Sequence, residues 1–165
     1  MVIETERLYL REFRESDTTA LLAYLTEPRV NCFKSERLST LEEAEEYIAK
    51  KKTEGLSLAI SLKDSDELIG DVFAAKEDAD TYGIGWHINQ LFEGKGYAFE
   101  AAKGFLDYLF SKVGARRIYG YVEEDNVRSR NLCARLGMRC EGCMVDFVTF
   151  VNNPDGTPKY ENTCI

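Results

Sequence analysis

The sequence lacks the features that mark membrane and secreted proteins. No apolar run approaches the ~20 residues that a bilayer-spanning helix requires. The N-terminal MVIETERLYL has neither a basic segment nor a long apolar one, so we expect no secretory signal and a cytoplasmic location. Repeats, low-complexity stretches and linkers are also missing. The 165 residues therefore predict a single domain, 1–165.

The cysteines and the single histidine do not indicate a disulfide-stabilised fold or a metal site. The five cysteines are odd in number and scattered, which predicts reduced thiols rather than a disulfide framework; they are Cys32, Cys133, Cys140, Cys143 and Cys164. Cys140 and Cys143 form a C-x-x-C, but no second pair and no histidine cluster follow to complete a zinc site. We expect no metal.

The charge balance excludes one large class of partner. A formal net charge of −8 opposes the attraction to polyanions on which nucleic-acid binding depends, so we expect no nucleic-acid partner. The same charge suits a cationic small molecule or a basic peptide end. Apolar residues at 44% and charged residues at 30% are typical of a folded soluble protein.

Hydrophobic periodicity in the N-terminal half predicts a strand, two helices and a meander. TERLYLREF alternates as a half-buried strand, and Ser16 or Asp17 caps a helix that ends at Pro28. Ser39 and Thr40 each have a glutamate three residues on, which predicts overlapping capping boxes. Three strands with short turns follow, in the segments LSLAISL, ELIGDVFAA and TYGIGWHI.

The C-terminal half alternates helices with strands. Apolar residues recur at helical spacing from Ala98 to Val113, and Gly114 supplies the stop. ARRIYGYVEE is the next strand, and Asp125 or Asn126 caps a helix through Leu136. Two strands flank the turn NNPDG. The whole order is βααβββαβαββ.

The junction QLFEGKGYAFEAA places two glycines where a helix begins. Glycine lets the backbone turn tightly and lets a ligand approach without meeting a Cβ, and the first amides of a helix have no internal partner. The junction can therefore bind an anion such as a diphosphate. A Walker A loop is absent, and Phe99 breaks the dinucleotide pattern G-x-G-x-x-G.

Two long segments carry a family resemblance. GIGWHINQLFEGKGYAFEAAKGFLDYLF and RRIYGYVEEDNVRSRNLCARLGMRCEG resemble the GNAT acyltransferases, and within them the RimJ/RimL-like N-acetyltransferase branch. TERLYLRE and ELIGDV match as well. The resemblance implies an α/β (α+β) fold, with a mixed, mostly antiparallel, twisted and V-splayed sheet of about seven strands flanked by four helices.

The resemblance also implies a place for acetyl-CoA as co-substrate. In the family, the phosphates sit on the amides of the glycine loop, and pantetheine lies along the strand before it. Carried over to this sequence, the cofactor-binding residues are His87, Ile88, Asn89, Glu93, Gly94, Lys95, Gly96, Tyr97, Ala98, Asn126 and Ser129. The backbone of His87, the single histidine, is the part expected at pantetheine; a lone histidine on a strand is usually packed or hydrogen-bonded.

The catalytic residues follow from the same resemblance. Branch members have a serine at the position of Ser129, proposed there to protonate or hold the departing thiolate; here it can equally satisfy end groups after the Asn126 cap. The branch glutamate falls on Val148, so the base is expected to be Asp146, two residues earlier on the same face, or Glu123 at the end of a strand.

The predicted function is transfer of an acetyl group from acetyl-CoA directly to a primary amine. A protein N-terminus, a polyamine and another small amine all fit, and a homodimer is compatible with the sequence. The alternatives are a non-catalytic acyl-CoA-binding sensor or interaction module, and a structural domain that binds nothing. Departures from the family pattern favour the module; they lie at Leu91, Glu93, Cys133 and Val148.

Overall fold

The computed structural model describes residues 1–53 and 55–165, which contain nine strands and four α-helices. In chain order these are β1 (Val2–Glu4), β2 (Leu8–Arg11), α1 (Thr18–Leu25), α2 (Leu41–Thr53), β3 (Leu56–Leu62), β4 (Leu68–Glu77), β5 (Thr81–Ile88), α3 (Tyr97–Tyr108), β6 (Arg117–Tyr119), β7 (Val122–Glu123), α4 (Val127–Arg135), β8 (Cys143–Asn152) and β9 (Pro158–Cys164). The predicted order is confirmed, with two differences: β1 is an additional strand before the predicted TERLYLREF strand, and the predicted strand ARRIYGYVEE is divided into β6 and β7. Of the helices described, none combines the length and apolarity that a bilayer crossing needs.

The strands form two sheets that part from each other at β5. One sheet has the order β1-β2-β3-β4-β5-β6 and the other β7-β9-β8, within the described residues. All neighbours are antiparallel except β5 and β6, which run parallel and pair only from Thr81 to Gly83. The pairing of β5 with β6 ends at Gly83, because β7, the strand that follows β6 in the chain, belongs to the second sheet. This is the V-shaped splay that the family resemblance implies.

The larger sheet is covered on both faces, as the alternation of its side chains predicts. Leu58 and Ile60 of β3 join a core cluster with Phe105 of α3. Ala59, between them, joins a second cluster with Leu21 of α1 and the helix α2. Because successive side chains point to opposite faces of a strand, one strand supports both layers. The sheet therefore holds α1 and α2 on one side and α3 on the other.

Capping side chains fix the predicted starts of α2 and α4, but not that of α1, where Asp17 is the N-cap residue and its side chain makes no capping bond. The Thr40 hydroxyl accepts the amide of Glu43 at 3.2 Å, and the Glu43 carboxylate accepts the amides of Ser39 and Thr40, so the capping box is that of Thr40. Asn126 caps α4 by accepting the amide of Ser129 at 3.2 Å. The end of α3 is a π-helical turn over Leu109–Val113, followed by Gly114 as predicted.

Removing the Thr40 cap is expected to weaken the protein slightly. Thr40→Ala leaves one amide of the first turn of α2 without its acceptor, and we expect the free energy of unfolding to fall by about 1 kcal/mol. Urea denaturation followed by circular dichroism measures this. Thr53→Ala is the control, since the Thr53 hydroxyl at the other end of α2 donates to the Lys50 carbonyl and caps no amide. Equal losses in the two variants would contradict the capping role.

The expectation of five reduced thiols is wrong for two of them. Cys143 and Cys164 form a disulfide. They are direct partners across the β8–β9 ladder, with Cα atoms 4.1 Å apart. A separation of 21 residues hid this pairing in the sequence, because only the strand register brings the two side chains together. Cys32, Cys133 and Cys140 are free cysteines.

Candidate active site

A cavity of about 440 Å³ opens between α1, β5, the glycine loop and α4. Its walls include nine of the predicted cofactor residues: His87, Ile88, Glu93, Gly94, Gly96, Tyr97, Ala98, Asn126 and Ser129. Tyr24 and Phe33 close the side formed by α1 and the segment after it. The splay of β5 from β7 thus creates a space into which sequence-distant predicted residues converge.

The glycine loop presents main-chain donors to this cavity. Gly94 and Gly96 have φ angles of +75° and +83°, a left-handed conformation that side chains disfavour, and open space lies where a Cβ on Gly94 would be. Within the described parts of the chain, the amides of residues 94–98 donate to no carbonyl or side-chain oxygen, whereas the amide of Glu93, also predicted as a donor to the phosphates, donates to the Gln90 carbonyl at 3.3 Å. Since they lie at the N-terminus of α3, where the helix dipole is positive, they suit an anionic group.

Arg7 holds the loop in place, and sequence reasoning missed it. Its guanidinium donates to the Lys95 carbonyl at 3.0 Å and to Glu100 of α3 at 2.7 Å, and lies 4.5 Å from the centre of the Tyr97 ring. Glu100 also accepts the Thr5 hydroxyl at 2.6 Å. Burial opposes the charge of Glu100, but these donors hold its pKa below the ordinary value. The β1–β2 turn therefore fixes the loop and the start of α3 together.

Glu93 does not stand alone beside the proposed phosphate site. Its carboxylate accepts one bond from Arg29 at 2.8 Å and one from Arg128 at 2.6 Å. Two cations against one anion leave a net positive charge at the mouth of the cavity, and Arg135 on α4 adds a third cation to the wall. The departure from the family pattern at Glu93 is thus compensated locally, on a protein whose net charge is −8.

The strand β5 offers an unpaired backbone edge to the cavity. Pairing with β6 ends at Gly83, so in the described structure residues 84–88 have strand pairing only on the β4 side. Trp86, His87 and Ile88 line the cavity along this edge. Asn89 lies outside the cavity and turns the chain, since its side chain accepts the Leu91 amide at 3.1 Å. The free edge suits an extended ligand with amide groups, as pantetheine has.

Ser129 lies half-buried in the first turn of α4 and lines the same cavity as the glycine loop. Its amide is bound by the Asn126 side chain. The capping interaction therefore uses the backbone of Ser129, which leaves the hydroxyl free of that task. The end group satisfied here is the amide of Ser129, and the Asn126 side chain satisfies it.

Comparison with protein families shows to which family the chain belongs. A model described as the acetyltransferase (GNAT) domain matches residues 7–139. The chain belongs to this family. The uncharacterized N-acetyltransferase YnaD of Bacillus subtilis is 35% identical to it over 144 residues, which cover 86% of this chain and 85% of that protein. Homologues of this kind support acetyl-CoA-dependent acetyltransferase activity.

Two further relatives place the acetyltransferase within the family. The ribosomal protein uS5-alanine N-acetyltransferase of Escherichia coli is 33% identical over 86 residues, covering 46% of this chain and 44% of that protein. The crystal structure of a GNAT-family acetyltransferase from Bacillus anthracis has a TM-score of 0.88 and 27% identity, covering 99% of this chain and 95% of that one. The resemblance to the RimJ/RimL-like branch is confirmed.

The two carboxylates predicted as bases of the acetyltransferase lie apart from the main cavity. Glu123 is buried at the end of β7, accepts the Cys32 amide at 3.0 Å and lines a neighbouring cavity of about 260 Å³. Asp146 is exposed, in a bulge of β8 with φ of +50°. The bulge breaks the period of two, so the argument that Asp146 shares a face with Val148 does not hold.

Glu161 of β9 is a buried carboxylate that sequence reasoning did not single out. It accepts the Asn31 side chain at 2.6 Å and pairs with Lys159 at 3.1 Å. Together with Glu123 it holds the segment Asn31–Glu36 against the second sheet. No local sequence signal marks Glu161, because its burial depends on how β9 packs on that segment.

The sulfur atoms of Cys140, Cys143 and Cys164 lie within 4.8 Å of one another. Three thiolates at this spacing can hold a metal ion, but two of these sulfurs are joined as a disulfide.

In α4, Cys133 follows the cavity-lining Leu132, and burial raises the pKa of its thiol. A protonated thiol is a poor nucleophile, so Cys133 acts as a packed side chain in this state.

Proposed function

We propose that this acetyltransferase moves the acetyl group directly from acetyl-CoA to a primary amine, without an acyl-enzyme. The observation that carries the proposal is a cavity lined by Gly94, Gly96, Tyr97 and Ala98 of the glycine loop, by Ser129 and by the edge of β5. Such a cavity can hold a diphosphate, an extended pantetheine arm and a thioester in sequence. An amine entering the same space attacks the thioester without an intermediate carrier.

The acceptor we propose to test first is the α-amino group of a protein N-terminus. The Escherichia coli relative is named for the alanine of a ribosomal protein, which motivates this order. An α-amino group has a pKa of about 8, so it needs less help in losing its proton than a lysine at about 10.4. The neighbouring cavity is lined by Glu123 and Asp125 and also by Arg29 and Arg128, so its charges are balanced and the order of testing rests on the amine pKa and on the relative.

Acceptor-dependent release of CoA tests this function. The purified chain is given acetyl-CoA with peptides that begin with alanine or serine, with the same peptides blocked at the N-terminus, and with spermidine. We expect thiol release with the free peptides and none with the blocked ones. Release with spermidine alone would identify a polyamine acceptor instead. Binding of acetyl-CoA with no release for any amine would show a non-catalytic module and overturn the proposal.

Ser129 is expected to act on the leaving thiolate. In Ser129→Ala the Asn126 cap survives, because the cap binds the backbone amide. We expect kcat to fall by about tenfold, the worth of one hydrogen bond to a charged group, with less change in the acetyl-CoA Kd. Steady-state kinetics and calorimetry measure the two effects. Ser111→Ala, in the turn that follows α3, serves as the control. An equal loss of kcat in Ser111→Ala would contradict a special role for Ser129.

A further inference from the structure

His87 is part of a buried polar network whose role is not accounted for by cofactor binding. Its Nδ1 lies 3.0 Å from Oδ1 of Asp71, on the adjacent strand β4. The same oxygen accepts the hydroxyl of Tyr24, from α1, at 2.8 Å. Asp71 is 0% exposed and His87 is 7% exposed. The sequence placed only the backbone of His87 in the site, because the partner that changes the role of its ring comes from another strand.

The geometry fixes the protons of this network. The Asp71 carboxylate can only accept, so Nδ1 of His87 must carry the hydrogen that it donates. In the neutral ring the other nitrogen, Nε2, is then an acceptor with a free lone pair. Within residues 1–53 and 55–165, this buried Nε2 has no hydrogen-bond partner, and neither has Oδ2 of Asp71.

A buried polar atom without a partner is destabilising, so two such atoms in one network point to a role beyond joining α1 to the sheet. His87 lies in the wall of the main cavity, together with Ser129. Nε2 itself is buried, so the imidazole lies behind the cavity wall, and a side chain of that wall must shift before the lone pair can meet an amine in the chamber. Phe33, with its ring centre 3.5 Å from that of the imidazole, shields the base from bulk water.

Charged and titratable groups surround the network on every side. Asp71 is fully buried, and burial opposes its ionisation, yet His87 and Lys51 together hold its pKa below the ordinary value. Lys51 of α2 lies over the rings of Tyr47 and Phe73. Burial first, and then the charge of Asp71, raise the pKa of Tyr47, so it stays neutral. Glu36 accepts the hydroxyl of Tyr47 at 2.7 Å. The ionised Asp71 is thus the anion in direct contact with His87.

We propose that His87 is the general base of the acetyl transfer, with Asp71 and Tyr24 as the residues that position it. The proposal rests on the acetyltransferase function proposed above. As the amine nitrogen forms its bond to the carbonyl carbon, the C–S bond breaks and its electron pair stays on sulfur. The amine proton passes to Nε2 of His87, and Asp71 stabilises the imidazolium. The thiolate, held by the Ser129 hydroxyl, takes a proton from solvent, and His87 releases its proton to solvent.

Nuclear magnetic resonance tests the base directly, because His87 is the single histidine of the chain. In tag-free protein labelled with ¹⁵N at histidine, we expect the Nδ1–H tautomer with unprotonated Nε2 at neutral pH. Asp71→Asn removes the anion that selects this tautomer, so the ring should shift toward Nε2–H. An Nε2–H tautomer in the wild-type protein would overturn the proposal, whatever the enzyme's activity.

Two substitutions separate catalysis from structure. In His87→Asn, the amide nitrogen can replace Nδ1 as the donor to Asp71, but nothing replaces Nε2. We expect a folded protein with unchanged acetyl-CoA affinity, and a kcat lower by at least about 100-fold, as for loss of a general base. Glu45→Gln, on the exposed face of α2, is the control for kcat.

The outcomes distinguish the base from the function. A wild-type enzyme that releases CoA, beside a His87→Asn variant that is folded and equally active, would refute the base and leave the acetyltransferase function intact. A wild-type enzyme that acetylates no amine would refute the function, and the base with it. If His87→Asn fails to fold, Tyr24→Phe gives the second measurement. It removes one donor to Asp71, and we expect an altered pH profile with KM unchanged.

Discussion

Gly96→Val is expected to lower the affinity for acetyl-CoA by at least about 100-fold, because two or more charge-assisted hydrogen bonds to the diphosphate are lost. Gly96 has a φ of +83°, which a β-branched residue adopts only under strain. The added Cβ would make only an ordinary contact, 3.5 Å from Nη2 of Arg7, so the strain comes from the backbone angle. The loop must therefore reshape, and its amides turn away from the ligand. Isothermal titration calorimetry measures the change.

Gly114→Val is the matched control for this prediction. Gly114 has a φ of +79° and follows the opposite end of the same helical stretch, so the backbone strain is similar and the cavity is distant. We expect both variants to lose similar stability in urea denaturation, and only Gly96→Val to lose acetyl-CoA binding. Equal affinity in the two variants would mean that the loop of residues 93–98 does not bind the cofactor.

Asp17→Ala is expected to have the largest effect on stability. Asp17 and Arg11 form a two-pronged ion pair with bonds of 2.8 and 2.9 Å, and both side chains are 4% exposed. Removing the carboxylate leaves the Arg11 guanidinium buried without its main partner, which costs about 3–5 kcal/mol. The same carboxylate accepts the Arg14 amide and so closes the turn that precedes α1, and the wall that carries Tyr24 should therefore loosen as well.

Urea denaturation of two further variants makes this prediction specific. Arg11→Met/Asp17→Leu removes both charges, and we expect it to recover part of the lost stability because no buried charge remains unpaired. Asp107→Ala removes the exposed pair with Lys103 on α3 and should change stability little. If Asp17→Ala were no less stable than Asp107→Ala, the pair would not hold the first sheet to α1.

Local sequence patterns predicted most of the fold because local interactions determine it. The Thr40 capping box, the Asn126 cap and the Gly114 stop each depend on residues within a few positions of one another. The division of ARRIYGYVEE into β6 and β7 could not be read from its side chains. It depends on which strands lie beside it, and β5 and β9 are remote in sequence.

The candidate site also has parts that could be predicted from the sequence and parts that could not. The glycine loop and Ser129 were predicted from short motifs and lie in one cavity. Contacts across more than 60 residues were invisible to those motifs, such as Arg7 with Glu100 and Arg29 with Glu93. The network of His87 and Asp71 was also missed, since only the antiparallel register of β4 and β5 makes the two residues neighbours. The prediction that Asp146 shares a strand face with Val148 was wrong because a bulge interrupts β8.

A crystal structure of the protein grown with acetyl-CoA tests the central claim most directly. The account predicts diphosphate oxygens within hydrogen-bonding distance of the amides between Gly94 and Ala98, with the pantetheine arm along the open edge of β5. The thioester should then end in the chamber shared by His87 and Ser129. Coenzyme bound at another surface, with the glycine loop closed by its own side chains, would contradict the account.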